Sequence, residues 1–390
     1  MTDAPAMLGN PPAFESPLVC GQNHFPDPDR YEQAFQGIFD RQYYNNNGPL
    51  HESLEARLRE FLGVKHALCT SNAMMGLMMA ADALRPGGKV LVPAFAPPEL
   101  LLSLRWAGID PVFCDVDPVT WQLETGQIEH LPDKTFGAIL AVNLWGGRCH
   151  SEMLQTWAEA HRKRLYFDSA CALGSVHASR PQGGAAGDLE VYSMHADHIV
   201  SSADGGIIAT DDADLAHRLQ NIRPSYTPST PAPVVRVANA RLSEAQAAIG
   251  LINLDDFADN RQHNEHLFRL WQTGLSDLAG IQLYEPRDMT ISNRQNIILC
   301  VTESIYGLSR EMLVAALKTE NVQARHCFDS RFMDCFSGQT ISNFPISQFL
   351  YQSCLEMPHG KMVSAADVET MIRLLQTFRE HATTIRERYV

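Results

Sequence analysis

The chain is short of positive charge and has no long apolar run. Of its 390 residues, 31 are Lys or Arg and 45 are Asp or Glu, a formal net charge of −14. Nucleic acid and anionic membrane both select for basic patches, so neither is expected as the main partner, while a local basic pocket for a phosphorylated ligand stays compatible. No apolar stretch approaches the roughly 20 residues needed to cross a bilayer, and no membrane partner is expected. The N-terminus MTDAPAMLGNPPAFESP lacks a basic flank followed by an apolar segment, so no signal peptide is expected and the chain reads as cytoplasmic. Its nine cysteines include no CxxC pair, which points to reduced core thiols and not to a disulfide framework. His and Cys do not cluster at ligand spacing, so no metal site is expected. Lysine is scarce: there are six, and none between Lys163 and Lys318.

What is present is an ordinary globular composition, 45% hydrophobic and 19% charged, on a chain too long for one simple core. Residues 1–50 read as an irregular arm rich in Pro and Asn. HESLEARLREFL is an amphipathic helix, and strands and helices then alternate. KVLVPAF, DPVFCDVD, GAILAVNL, RLYFDSA, VYSMHA and GGIIATDD read as strands, with helices such as ELLLSLRWAG and SEMLQTWAEAHRK between them. Short β-rich runs separated by helices predict βαβ units and a mostly parallel sheet over residues 51–260. RLSEAQAAIGLINLDDFADNRQHNEHLFRLWQTGL reads as one long helix. Residues 261–390 read as a smaller α+β unit, with strands NRQNIILCVT and VQARHC and one closing helix. Parallel sheets of this kind place ligands beyond the carboxyl ends of their strands. Those ends fall at Ser71-Asn72, Phe95, Asn143-Leu144, Asp168 and Ser193-Met194-His195.

Two segments carry candidate chemistry. Asp168 ends a buried strand and is followed by small residues, and a carboxylate in that setting must be paired. It is either a structural ion pair or helix cap, or the partner of a protonated pyridine nitrogen, as in pyridoxal phosphate (PLP) sites. In Tyr192-Ser193-Met194-His195-Ala196-Asp197-His198, Ser193 has a hydroxyl suited to phosphate. The Gly205-Gly206 pair that follows lets backbone pass close to another group.

With their surroundings these segments resemble the DegT/DnrJ/EryC1/StrS family of PLP-dependent sugar aminotransferases, of aspartate aminotransferase fold type I. The resemblance rests on Gly48-Pro49, GVKHALCTSNA, DPVFCDVDPVTW, VNLWG, FDSACALGS, SMHADHIVSSADGGIIATDD, NARLSEAQAAIGLINL and LEMPHGKMVSAADVETMIRLL, in that order. It implies an α/β fold with a large domain on a mostly parallel seven-stranded sheet, plus a smaller C-terminal α+β domain. It also implies that Asp168 faces the cofactor's pyridine nitrogen, that Ser193 faces its phosphate, and that Asn72, Ala73 and Met74 lie near that phosphate at a helix N-terminus suited to anions. Asn239 and Arg241 match residues that reach a neighbouring subunit's cofactor phosphate, which implies a dimer. The implied substrate is a nucleotide-linked sugar, and His326 falls where family members approach it.

The chain departs from the pattern at its most important position. The family's cofactor-holding lysine corresponds to His198, and an imidazole cannot hold PLP covalently. The resemblance extends to two sugar 3-dehydratase branches that carry His here, use non-covalent pyridoxamine phosphate (PMP), and employ the imidazole as acid and base. Met74 stands where a phosphate-binding hydroxyl is usual, Pro97 where an aromatic stacks on the cofactor ring, and Cys171 where Gln or His meets the phenolic oxygen. His195 is expected either to support another site residue or to pack, and Asp197 is not expected to pair with its neighbour His198. Three readings follow: a dehydratase-like enzyme with His198 as acid and base; a silent member serving as scaffold or as heterodimer partner of an active paralogue; and an ordinary transaminase, which the missing lysine disfavours.

Overall fold

The computed structural model describes residues 4–23, 27–131, 135–178, 185–223, 233–234, 236–287, 289–336 and 340–389. A seven-stranded sheet organises the larger unit. Its order is His66–Thr70, Gly206–Thr210, Leu189–Ser193, Arg164–Asp168, Phe136–Val142, Lys89–Pro93 and Pro111–Cys114. Every pairing is parallel except the two made by Gly206–Thr210, which runs antiparallel to both neighbours. The inner strands are buried along nearly all their length, as strands covered on both faces must be, with Lys89 and Arg164 exposed where two of them begin. One face packs under helices Ala73–Leu84, Pro98–Ala107 and Ala213–Ile222. The other packs against Ser151–Ala160, Pro49–Leu62 and Glu244–Asp255.

The second unit has its own core, drawn from residues between Leu267 and Ile385. Its antiparallel sheet runs Ile281–Leu283, Ile297–Val301, Cys354–Met357, Arg325–His326. Helix Phe257–Leu275 leads the chain into it. The N-terminal arm is fastened to this unit: Leu18–Val19 pairs with Val322–Gln323, and Glu320 accepts from Ala6 N–H at 2.6 Å and Ala13 N–H at 2.8 Å.

Four local expectations are corrected. The arm holds a helix, Pro28–Arg41, capped by the Asp27 side chain. Proline at its first position starts this helix where it reads as a breaker. The long helix stops at Asp255 and restarts at Phe257. Arg30 bonds to Asp256 at 2.6 Å and Arg57 to Asp255 at 2.8 Å, so tertiary ion pairs hold the break with no Gly or Pro to mark it. VQARHC forms two strands serving different sheets, and the closing helix divides at His381.

Candidate active site

The strand ends converge on a cavity of about 910 Å³ between the units. Asn72, Asn143, Leu144, Asp168, Ser193 and His195 line it from the sheet, as expected. Phe95 lies beneath it, 1% exposed, and packs on Trp145, Phe328 and Tyr351, which do line the wall.

Asp168 is 3% exposed and accepts one bond from Ala170 N–H at 3.1 Å. Among the described residues no Lys, Arg or His forms an ion pair with it. Burial without a counter-charge pushes its carboxyl up to about 7. Behind it lies a closed polar network. Arg148 pairs with Glu190 at 2.5 Å, and Glu190 also accepts from Ser169 at 2.7 Å and Tyr192 at 2.9 Å. Asn143 donates to Ser169 at 2.8 Å, and its backbone N–H to Asp168 O at 2.8 Å. The network fixes the strand end while satisfying its own charges, so the ion-pair reading of Asp168 finds no partner among the described residues, and its carboxylate lines the cavity.

On the opposite wall, Asn72 caps helix Ala73–Leu84 by accepting from Met75 N–H at 2.8 Å. This orients the helix start, with Ala73 and Met74, into the cavity. A Cβ on Gly206 would lie 2.6 Å from the Asn72 carbonyl, so the expected close backbone approach is real and sets the turn against the sheet. Ser193 Oγ accepts from His195 N–H at 3.2 Å, which leaves its own proton to donate. An anion placed here meets helix N–H groups and a hydroxyl.

His198 lines the same cavity. Gln295 Nε2 donates to its Nδ1 at 2.9 Å, and Gln295 Oε1 accepts from Ile199 N–H at 3.0 Å. Asp197 Oδ1 lies 3.9 Å from His198 Nε2, so the two adjacent side chains converge where divergence was expected. Asp197 also accepts from His195 Nδ1 at 2.7 Å and pairs with Arg325 at 3.2 Å. Burial raises the Asp197 carboxyl, but His198, His195 and Arg325 outweigh this and hold it at about 2. Burial pushes the His198 imidazole below its usual range despite Asp197. Of the two roles expected for His195, 56% exposed at its side chain, the contact with Asp197 fits the supporting one and not packing.

Cys171 lines the cavity, and burial, reinforced by Asp168, drives its thiol far above the usual range. Met74, Pro97 and His326 line it as well. Asn239 and Arg241 do not; Arg241 Nε donates to Asn239 Oδ1 at 3.0 Å toward the surface. Their segment is pinned beside the Asn72 turn, with Ser71 N–H donating to Ala240 O at 2.9 Å. The sequence reading missed Gln295, Arg325 and Glu356, which come from the second unit; only their positions in the fold bring them here. Lys134 lies outside the described residues, and no described lysine lines the cavity.

The residues fit PLP or PMP in part. An unpaired buried carboxylate suits a pyridinium, and a helix start with a hydroxyl suits a phosphate. A stacking ring at Pro97 and an amine at His198 are missing. Among the described residues, His51, Glu55 and Cys69 are the one group arranged like metal ligands, but Arg223 pairs with Glu55 at 2.5 Å and occupies that corner with a cation.

Residues 28–376 match the DegT/DnrJ/EryC1/StrS aminotransferase family. The dTDP-4-amino-4,6-dideoxy-D-glucose transaminase of Shigella dysenteriae is 30% identical over 81% of this chain and 85% of its own. GDP-perosamine synthase of Caulobacter vibrioides is 25% identical over 86% of this chain and 92% of its own. The crystal structure of DesI with its TDP-sugar product superposes with a TM-score of 0.91 at 33% identity, covering 99% of this chain and 98% of that one. No described helix is long and apolar enough to cross a membrane. Fold, strand-end cavity and sequence relatives agree, and the chain belongs to the DegT/DnrJ/EryC1/StrS aminotransferase family.

Proposed function

We propose that this chain holds PLP or PMP non-covalently beside a nucleotide-linked keto sugar and acts as a dehydratase-like enzyme, not a transaminase. Asp168 carries the reading: a carboxyl at 3% exposure with no cationic partner among the described residues is held charged at neutral pH only where a ligand brings a cation to it. When bound as PMP, the cofactor would supply an amine for the sugar's ketone and an electron sink.

The chain's own residues then divide the work. Asp168 holds the pyridine nitrogen protonated. Ser193 and the helix start at Asn72, Ala73 and Met74 hold the phosphate. Cys171 would meet the bound cofactor as a neutral thiol. His198 cannot bind the cofactor covalently; its imidazole would act as base and then as acid, taking the proton given up beside the amine and returning it to the sugar hydroxyl, which leaves as water. Asn239 and Arg241, outside their own cavity, complete the phosphate site of a second copy in a homodimer, or of a paralogue in a heterodimer. The nucleotide-sugar substrate class is supported by the relatives, a dTDP-sugar transaminase and a DesI structure holding a TDP-sugar.

Purified protein incubated with PMP and dTDP- or GDP-linked 4-keto-6-deoxyhexoses should give a product lighter by one water. An amino sugar would refute the reading. A second reading, the silent partner, is favoured by Met74 and Pro97, which leave the cavity without the turn hydroxyl and the stacking ring. It predicts no turnover alone and co-purification with an active family member.

A further inference from the structure

Two thiols that the proposed chemistry does not use face each other behind the cavity wall of the second unit. Strands Ile297–Val301 and Cys354–Met357 pair antiparallel, and their register sets Cys300 directly opposite Cys354. Both are buried free cysteines. Opposed residues of antiparallel strands project from the same face, and this pair is of the closer, non-hydrogen-bonded kind. Cys354 N–H donates to Leu350 O and not across to Cys300. Ile298 O accepts from Tyr284 N–H at 2.9 Å, so the backbone groups of Ile298, and of Cys300 two residues on, point toward strand Ile281–Leu283. In such pairs the Cα atoms lie about 4.5 Å apart, within the span of about 4.4–6.8 Å that a disulfide bridges. Cys327 is less well placed, because it follows the last residues that strand Arg325–His326 pairs with Cys354–Met357.

We propose that Cys300 and Cys354 are a redox-active pair that closes into a reversible cross-strand disulfide when the protein meets a peroxide. The two sulfurs are unequal. Hydrogen bonds from Cys354 and Ser353 hold the Cys300 thiol below its usual range despite burial, whereas burial raises that of Cys354. Cys300 is therefore the easier to ionise and the attacking sulfur. Having given up its proton, it attacks a peroxide oxygen; the O–O bond breaks, and the departing hydroxide takes that proton and leaves as water, with a sulfenic acid on Cys300. The Cys354 sulfur then displaces the sulfenic hydroxyl, which leaves as water with the Cys354 proton as the S–S bond forms. The thiols lose two electrons and the peroxide gains them. Phe328 and Tyr351 line the cavity and share a core with both cysteines, so the cavity is the oxidant's way in. Tyr351 and Cys354 also offer their carbonyls to Arg310, and Glu356 accepts from Arg325 at 2.6 Å. The disulfide thus ties the wall that carries these arginines to strand Ile297–Val301.

The test treats the folded, full-length protein with excess hydrogen peroxide, unfolds it in an alkylating reagent without reductant, and maps its peptides by mass spectrometry. One dominant linked pair, Cys300 to Cys354, should appear, two hydrogens lighter than the two reduced peptides together and released by dithiothreitol. Cys327→Ser should leave that link intact. Cys354→Ser, which keeps a hydrogen-bond donor at the site, should instead leave Cys300 as a sulfenic acid that dimedone labels. Wild type in which both thiols are still alkylated, or in which Cys354 links to Cys327, would overturn the proposal. So would a Cys300–Cys354 link that forms no faster in the folded protein than in urea. None of these outcomes depends on PMP or on a sugar, so they stand apart from the proposed function.

Discussion

Replacing Asp168 with asparagine removes a buried charge and leaves its shape, and two opposite consequences follow. In the cofactor-free protein the carboxyl is raised from 3.8 to about 7 by burial. The folded state therefore binds more protons than the unfolded one between those values, and stability from this group falls as pH rises through them. A shift of about three units at 1.36 kcal/mol each makes the full penalty about 4 kcal/mol, of which about 2–3 kcal/mol develops between roughly pH 5 and pH 8. Asp168→Asn lacks that slope and still accepts from Ala170. In urea or guanidinium unfolding it should gain stability over wild type as pH rises, by an amount of that order. PMP binding should move the other way, weakening by about tenfold to a hundredfold as a charged hydrogen bond to the pyridinium is lost. Parallel pH–stability curves for the two proteins would refute the claim that Asp168 is buried without a counter-charge.

Ser193→Ala should weaken PMP about tenfold in a binding titration while barely moving the melting temperature, because it removes one charge-assisted bond to phosphate. Asn72→Ala removes the cap on Met75 N–H and should cost about 1 kcal/mol in denaturant unfolding. Glu190→Gln strips the charge from the buried Arg148 pair and should destabilise by about 3–5 kcal/mol, read by the same method. His198→Lys should let PLP attach covalently, seen by mass spectrometry after borohydride reduction. A folded lysine variant that takes up no PLP would show that the cavity no longer accepts the cofactor.

Much of the fold is legible because the strands of the large sheet are short apolar runs separated by helix-length segments, such as the amphipathic Ser151–Ala160. Asp168, Ser193 and the Asn72 turn are legible because they sit at strand ends, where a parallel sheet opens. Gln295, Arg325 and Glu356 are not, because nothing local to 295, 325 or 356 records that a second unit folds them over His198. The Asp197–His195 contact is hidden for a related reason: only the bend of residues 195–198, closed by His198 N–H to His195 O at 3.0 Å, brings the side chains together. The helix break at Asp256 depends on Arg30 and Arg57, more than 190 residues upstream, which no local pattern shows.

Calorimetric titration of PMP into wild type and Asp168→Asn at one pH, followed by dialysis and mass spectrometry, tests the central claim. The account predicts saturable binding by wild type, full release on dialysis, no covalent mass, and markedly weaker binding by the asparagine variant. No binding at millimolar PMP, or equal binding by both proteins, would contradict it.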